Sequence, residues 1–307
     1  VTAASELKLT AGRAFRLGFQ QAVSLWPATV MVFAVRSVQS LADFAVAIAV
    51  LPSLLTHPDA PLGAGIGTSI TVWIFTQVSA AIFIGGSLRQ GAERMRGLPV
   101  GGLLSHAAAA APRSLSYLFW SSVVQVLRFG WSVLAFTAAG LAYLRSLVTG
   151  IGGPASAAAI ALALTIALPV ALLGLIWIEV ALVRSVIRDQ GYLGSLLEAV
   201  TAMRTRLGTL VWLTLLSGGI AWVATSSISG IFSLTGAALS SAWQLTLAQR
   251  VSVSVLSAFV VSLFELTRLH AFGALTLDVL AVAPIEPLPV PMAEVVVTAL
   301  PVGEPPG

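Results

Sequence analysis

The stretch Ala155–Asp189 reads ASAAAIALALTIALPVALLGLIWIEVALVRSVIRD. It holds no charge before Glu179 and no basic residue before Arg184. At 1.5 Å per residue, about 20 helical residues cross the roughly 30 Å of bilayer hydrocarbon, so this run is more than long enough. It lacks the apolar–polar alternation of a barrel strand. A backbone in lipid must satisfy its own hydrogen bonds, and the run therefore predicts a transmembrane helix with Pro169 as an internal kink. The question it raises is why a carboxylate stands in it.

Composition extends that reading to the rest of the chain. Of its 307 residues, 57% are hydrophobic and 9% charged, with a mean hydropathy of +0.96. Soluble domains carry about 25% charged residues, so this chain cannot cover a globule with polar surface and its solvent is largely lipid. Cysteine is absent, which excludes disulfides, thiolate metal sites and cysteine nucleophiles. The net charge is +4 and the pI about 10.3. Fifteen arginines and the single Lys8 lie in ones and twos between apolar runs rather than among aromatics, so nucleic acid is not the expected partner. Arginine in place of lysine, with abundant Ala, Gly, Val and Leu, points to a GC-rich bacterial genome.

Six segments are long enough to span: roughly Ala22–Val46, Ile66–Leu88, Leu118–Leu144, Ala155–Ile187, Leu207–Leu234 and Val251–Leu275. The first follows Lys8, Arg13 and Arg16 but is far longer than the roughly 7–15 residues of a signal-peptide core. It reads as a retained span, continuing to Leu51 until Pro52 stops it. Basic residues fall on alternate connections. Arg89, Arg94, Arg96 and Arg113 lie on one, and Arg184, Arg188, Arg204 and Arg206 on another, whereas 52–65 and 150–154 have none. Arg145 and Arg250 run against the pattern. The positive-inside rule then places both termini in the cytoplasm of a multi-pass protein of the bacterial inner membrane.

The basic connections also resemble one another. SELKLTAGRAFRLG ends in Arg16-Leu17-Gly18, GGLLSHAAAAAPRSL in Arg113-Ser114-Leu115 and GSLLEAVTAMRTRLG in Arg206-Leu207-Gly208, each ahead of a tryptophan (Trp26, Trp120, Trp212). The exits FIGGSLRQGAERM, WIEVALVRSVIRD and LFELTRLHAFGAL rhyme as well. The expected fold is all-α: six transmembrane helices in three parallel repeats of interfacial helix plus helical hairpin, about 5–96, 97–190 and 191–280, within a membrane domain 1–283. In the third copy Leu196, Val200 and Met203 share a helical face suited to the headgroup boundary. The remaining 284–307 is proline-rich, with Glu and no basic residue, and reads as a mobile cytoplasmic tail.

Ionisable residues inside spans cost about 2.5–3.5 kcal/mol each at mid-bilayer and call for partners. The candidate intramembrane polar cluster is Arg36, Asp43, Arg128, Glu179, Glu265 and Arg268. Arg36, Gln39, Ser40 and Asp43 share one face of the first span, and Gln125, Arg128 and Ser132 one face of the third. Glu265 and Arg268 are spaced to pair within their own helix. Glu179 is five residues from Arg184, the wrong side of the wheel, so its expected partner is Arg128, with Arg268 as the alternative. Glu179 and Glu265 stand at matching places in two exits, where the first has Gly85. No catalytic, cofactor or metal motif is legible. His57, His106 and His270 have no ligand at metal spacing, and His270 reads as an interfacial anchor.

The AFRLGFQQ entry, the GSLLEAVTAMRTRLG return and the arginine-ended even spans, together covering about 5–280, resemble an uncharacterised bacterial six-span membrane module. That module occurs alone or fused ahead of glycerophosphodiester phosphodiesterase domains. The resemblance implies an inner-membrane protein with no settled activity; this chain carries neither the phosphodiesterase domain nor its metal ligands. The function expected is non-enzymatic: a scaffold or accessory module associating with membrane lipid or a partner protein. The alternative is a transporter or lipid-handling permease using Glu179 and Glu265.

Overall fold

The computed structural model describes residues 9–56, 62–123, 126, 137, 153–238 and 243–277. Among them are seven helices and no strand. These are α1 (Ala11–Ser24), α2 (Trp26–Thr56), α3 (Leu62–Met95), α4 (103–123), α5 (Gly153–Ile187), α6 (Tyr192–Ala238) and α7 (Trp243–Leu277). Three are long and apolar enough to cross a membrane, over Gly67–Met95, Tyr192–Ser233 and Gln249–Leu277. A fourth is added if α1 and the Trp26–Ala42 part of α2, bent by 80° at their junction, count as one broken span. Large side chains such as Phe75, Trp222 and Leu197 stand mostly exposed on the outside of the bundle, as they would toward lipid. The tail 284–307 and most of the span expected at Leu118–Leu144 lie outside the described residues.

Sequence and structure differ at several boundaries. Pro52 does not stop the first span; α2 runs on to Thr56. A proline this close to a helix end removes one bond of the last turns only, and in lipid the freed carbonyl gains nothing from unwinding. α5 holds Pro169 inside it, as expected of an internal proline. The entry breaks fall at different places in the matching segments. In the first it is Leu25, whose N–H still reaches Gln21 O, with Pro27 held in the first turn of α2, where it lacks no bond. In α6 the break is Arg206 itself, at φ −134°, ψ 23°. In the segment 192–205 the face of Leu196, Val200 and Met203 is divided, with Leu196 buried and Val200 exposed. Tyr192, Ser195, Leu196 and Ala199 are buried against the bundle, while Leu193, Leu197 and Val200 face out.

α3, α5 and α7 touch one another pairwise, α2 packs on both α3 and α7, and α6 on both α5 and α7. The three helices α3, α5 and α7 end together: a methyl placed on Gly273 would lie 3.1 Å from Ile187 Cδ1 and 3.6 Å from Met95 Cε. The contacts are close because the residues are small. A methyl on Gly86 of α3 would meet Ala107 Cα of α4 at 2.8 Å, and Ala181, Ala199, Ala271 and Ala274 are wholly buried. Lipid gives no hydrophobic drive for helices to associate, so such small-residue seams supply the attraction through van der Waals contact.

α3 and α5 also end in the same way. Leu98 N–H donates to Glu93 O at 2.9 Å and Gln190 N–H to Ser185 O at 3.1 Å, with Gly97 at φ 71° and Asp189 at φ 58° in the left-handed turn. This is the Schellman cap, filled once by glycine and once by a residue type that tolerates the conformation. Nothing lies within 4 Å of a methyl on Gly97. Gly97→Ala is therefore expected to cost about 1 kcal/mol through backbone strain alone, and Gly97→Asn less, as read from thermal unfolding of the purified protein.

Candidate functional site: paired charges between helices

Four of the six candidate polar residues come together in the structure. Glu179 of α5 is 1% exposed. Its Oε1 accepts from Arg268 Nη2 of α7 at 2.5 Å. One turn away on α7, Glu265 accepts from Arg36 of α2. The two pairs interact electrostatically, since Glu179 also feels Glu265 and Arg36. The result is a row of alternating charges, Arg36, Glu265, Arg268 and Glu179, joining α2, α7 and α5. Tyr117 of α4 lies within the field of the last three. Arg128 and the side chain of Asp43 fall outside the described residues.

Glu179 pairs with Arg268, the alternative partner, because α5 and α7 pack directly and end together, which puts the two residues at one level; a pairing with Arg128 lies outside the described residues. Glu179 precedes the end of its helix by eight residues and Arg268 by nine. Glu265 and Arg268 do not pair within α7. Each has a partner on a neighbouring helix instead, so their spacing serves to present two opposite charges to two different helices. The polar face of α2 is where the sequence placed it: besides Arg36, Gln39 Oε1 accepts from Thr76 Oγ1 of α3 at 2.8 Å.

His270 is no interfacial anchor. It is wholly buried, with Nε2 2.9 Å from Ser87 Oγ of α3. Gly91 makes room for its ring, since a methyl there would meet Nδ1 at 2.5 Å. His106 of α4 lies with Nε2 3.1 Å from Glu93 Oε2. Among the described residues no group of three or more His, Asp or Glu could hold a metal ion.

The arginines of the connections have partners that sequence reasoning missed. Arg96 Nη2 donates to Ile187 O at 3.0 Å, and Arg206 Nη1 to Leu275 O at 3.0 Å. Arg113 meets Asp189 Oδ1 at 2.8 Å and donates to Gln190 O at 3.3 Å; Arg89 lies 3.6 Å from the same carboxylate. Each reaches the end of another helix, where the last carbonyls lack intrahelical donors and the dipole is negative. The available signal was the arginine shortly before the first, third and fifth expected spans, which a search for helix caps would have matched to helix ends elsewhere. No family model, curated protein or solved structure matches this chain.

Proposed function

We propose that the chain is a six-span, non-enzymatic protein of the bacterial cytoplasmic membrane with both termini inside. It serves as a scaffold or accessory module that associates with lipid or a partner protein. Three parallel units are arranged around α3, α5 and α7. Support for the units comes from the common ending of these helices, the shared cap at Gly97 and Asp189, and the matched roles of Arg113 and Arg206, each of which reaches the end of its own unit's return helix. The observation that carries the scaffold reading is the buried pair Glu179–Arg268. A carboxylate 1% exposed and closed on a guanidinium of the next helix is spent on holding helices together. One observation favours the permease alternative: Glu179 and Glu265 share one charge row.

A single experiment series tests both. The native chain has no cysteine, so Ser53→Cys and Gln190→Cys can each be labelled alone with a membrane-impermeant thiol reagent on intact cells. Only Ser53→Cys should label; labelling of both from outside overturns the six-span topology. In the same cells Glu179→Gln should lower the yield of folded protein. Full yield combined with lost solute or lipid exchange would replace the scaffold with the permease.

A further inference from the structure

A small basic pocket lies where the ends of α5 and α7 meet the break in α6. It encloses about 180 Å³ and is lined by Arg184, Arg188, Thr205, Arg206 and Thr276, with Phe272 among its apolar walls. A water occupies about 30 Å³ of liquid, so the space accommodates a tetrahedral oxyanion with part of its hydration.

Two of these arginines, Arg184 and Arg188, are incompletely served. Arg184 is a half-buried guanidinium whose Nη1 makes two long contacts of 3.4 Å, both to Glu198, one to its carbonyl and one to Oε2. Its Nε is buried without a hydrogen-bond partner. Arg188 Nη1 reaches the same Oε2 at 3.1 Å. One carboxylate divided between two guanidiniums leaves that trio with a net positive charge. A guanidinium has five donors in a planar fork that matches the oxygens of phosphate, and buried charged donors left unmade are the costliest to leave so. The pocket is therefore built for an anion with several acceptor oxygens. Basic pockets between membrane helices at the cytoplasmic side are suited to lipid headgroups.

We propose that Arg184, Arg188 and Arg206, with Thr205 and Thr276, bind a phosphoryl oxyanion, supplied by the headgroup of an anionic phospholipid. The lipid source rests on the membrane reading above; the oxyanion site does not. The test uses the full chain, with Arg184→Gln/Arg188→Gln as the main variant. Arg188→Gln alone is the milder variant, since its side chain is 42% exposed and its loss leaves Arg184 on Glu198. Arg204→Gln is the control: it is an exposed arginine of α6 that lines a separate groove.

Phosphatidylglycerol should be retained from mixed phosphatidylcholine–phosphatidylglycerol nanodiscs in native mass spectra. Retention should fall roughly fivefold for each pocket arginine removed and be unchanged in Arg204→Gln. In the second arm, inorganic phosphate is added to lipid-free protein in detergent and the melting temperature followed. A rise that only the pocket variants abolish, without lipid preference, keeps the oxyanion site and overturns its lipid source. No response to either anion, or one that survives in both pocket variants, overturns the site. A chain monodisperse in buffer without detergent overturns the membrane reading, and the phosphate arm still decides the pocket.

Discussion

Arg268→Gln is expected to destabilise the protein by about 3–5 kcal/mol, and Glu179→Gln by somewhat less, while the double variant recovers most of the loss. Taking one partner from a buried ion pair leaves the other charge without compensation. Replacing both leaves two neutral amides that can still bond to each other. The two single losses differ because the survivors differ. After Glu179→Gln, Arg268 still has Glu265 one turn away on its own helix, the very pairing the spacing alone suggests. After Arg268→Gln, Glu179 stays at 1% exposure with its other oxygen, Oε2, already lacking a hydrogen-bond partner. Reversible unfolding of the purified protein in detergent measures all three variants. Effects that add to within about 0.5 kcal/mol would mean the two residues do not act as a pair.

How far this site was legible in the sequence depends on the geometry each residue needed. Intramembrane charge stands out against a run like Ala155–Asp189, so Glu179, Glu265, Arg268 and Arg36 could be singled out by cost alone. Which of them meet depends on which helices are neighbours, and periodicity within one helix does not encode that. Counting residues back from the helix ends would have favoured Arg268 over Arg128, had it been known that α5 and α7 end at one level. The buried Ser87–His270 contact was invisible for a related reason. His270 is placed near a basic end by sequence, but its burial is created by α3 and by the space that Gly91 leaves.

The fold divides along similar lines. The all-helical class and the membrane-spanning character follow from apolar length and low charge, because a lipid-exposed backbone has few alternatives to helix. Breaks and ends are harder, since they are decided by single bonds. Pro52 fails to end α2, whereas Arg206, an ordinary helix former, sits at the break of α6, its guanidinium drawn to Leu275 O. Asp189 in a left-handed turn is equally silent in sequence, although Gly97 two residues past the end of α3 announces the same cap. The arginines that set the expected topology turn out to close helix ends as well, so one residue type serves both orientation and capping.

Gly18→Val should detach α1 from α7 at a cost of about 3 kcal/mol, the upper end of overpacking effects. A methyl at Gly18 would lie 2.2 Å from the carbonyl oxygen of Thr267 and 2.8 Å from the amide nitrogen of Ala271. Both are backbone atoms of a helix, so no rotamer change relieves the overlap. Ala14 and Ala22, one turn to either side, are 0% and 1% exposed, so the whole seam depends on this close approach. Phe15 and Phe19, each 6.5 Å from the Phe264 ring, would lose their stacking as the helices part. α2 should remain docked, because its pair Arg36–Glu265 does not pass through α1. Hydrogen exchange should therefore rise over residues 11–24 and stay low over the part of α2 near Arg36. Gly12→Ala provides the contrast: nothing lies within 4 Å of a methyl there, and the change should stabilise α1 by up to about 1 kcal/mol. If Gly18→Val melts like Gly12→Ala, the amphipathic α1 is not seated on α7. It would then lie free on the membrane surface, as its sequence alone allows.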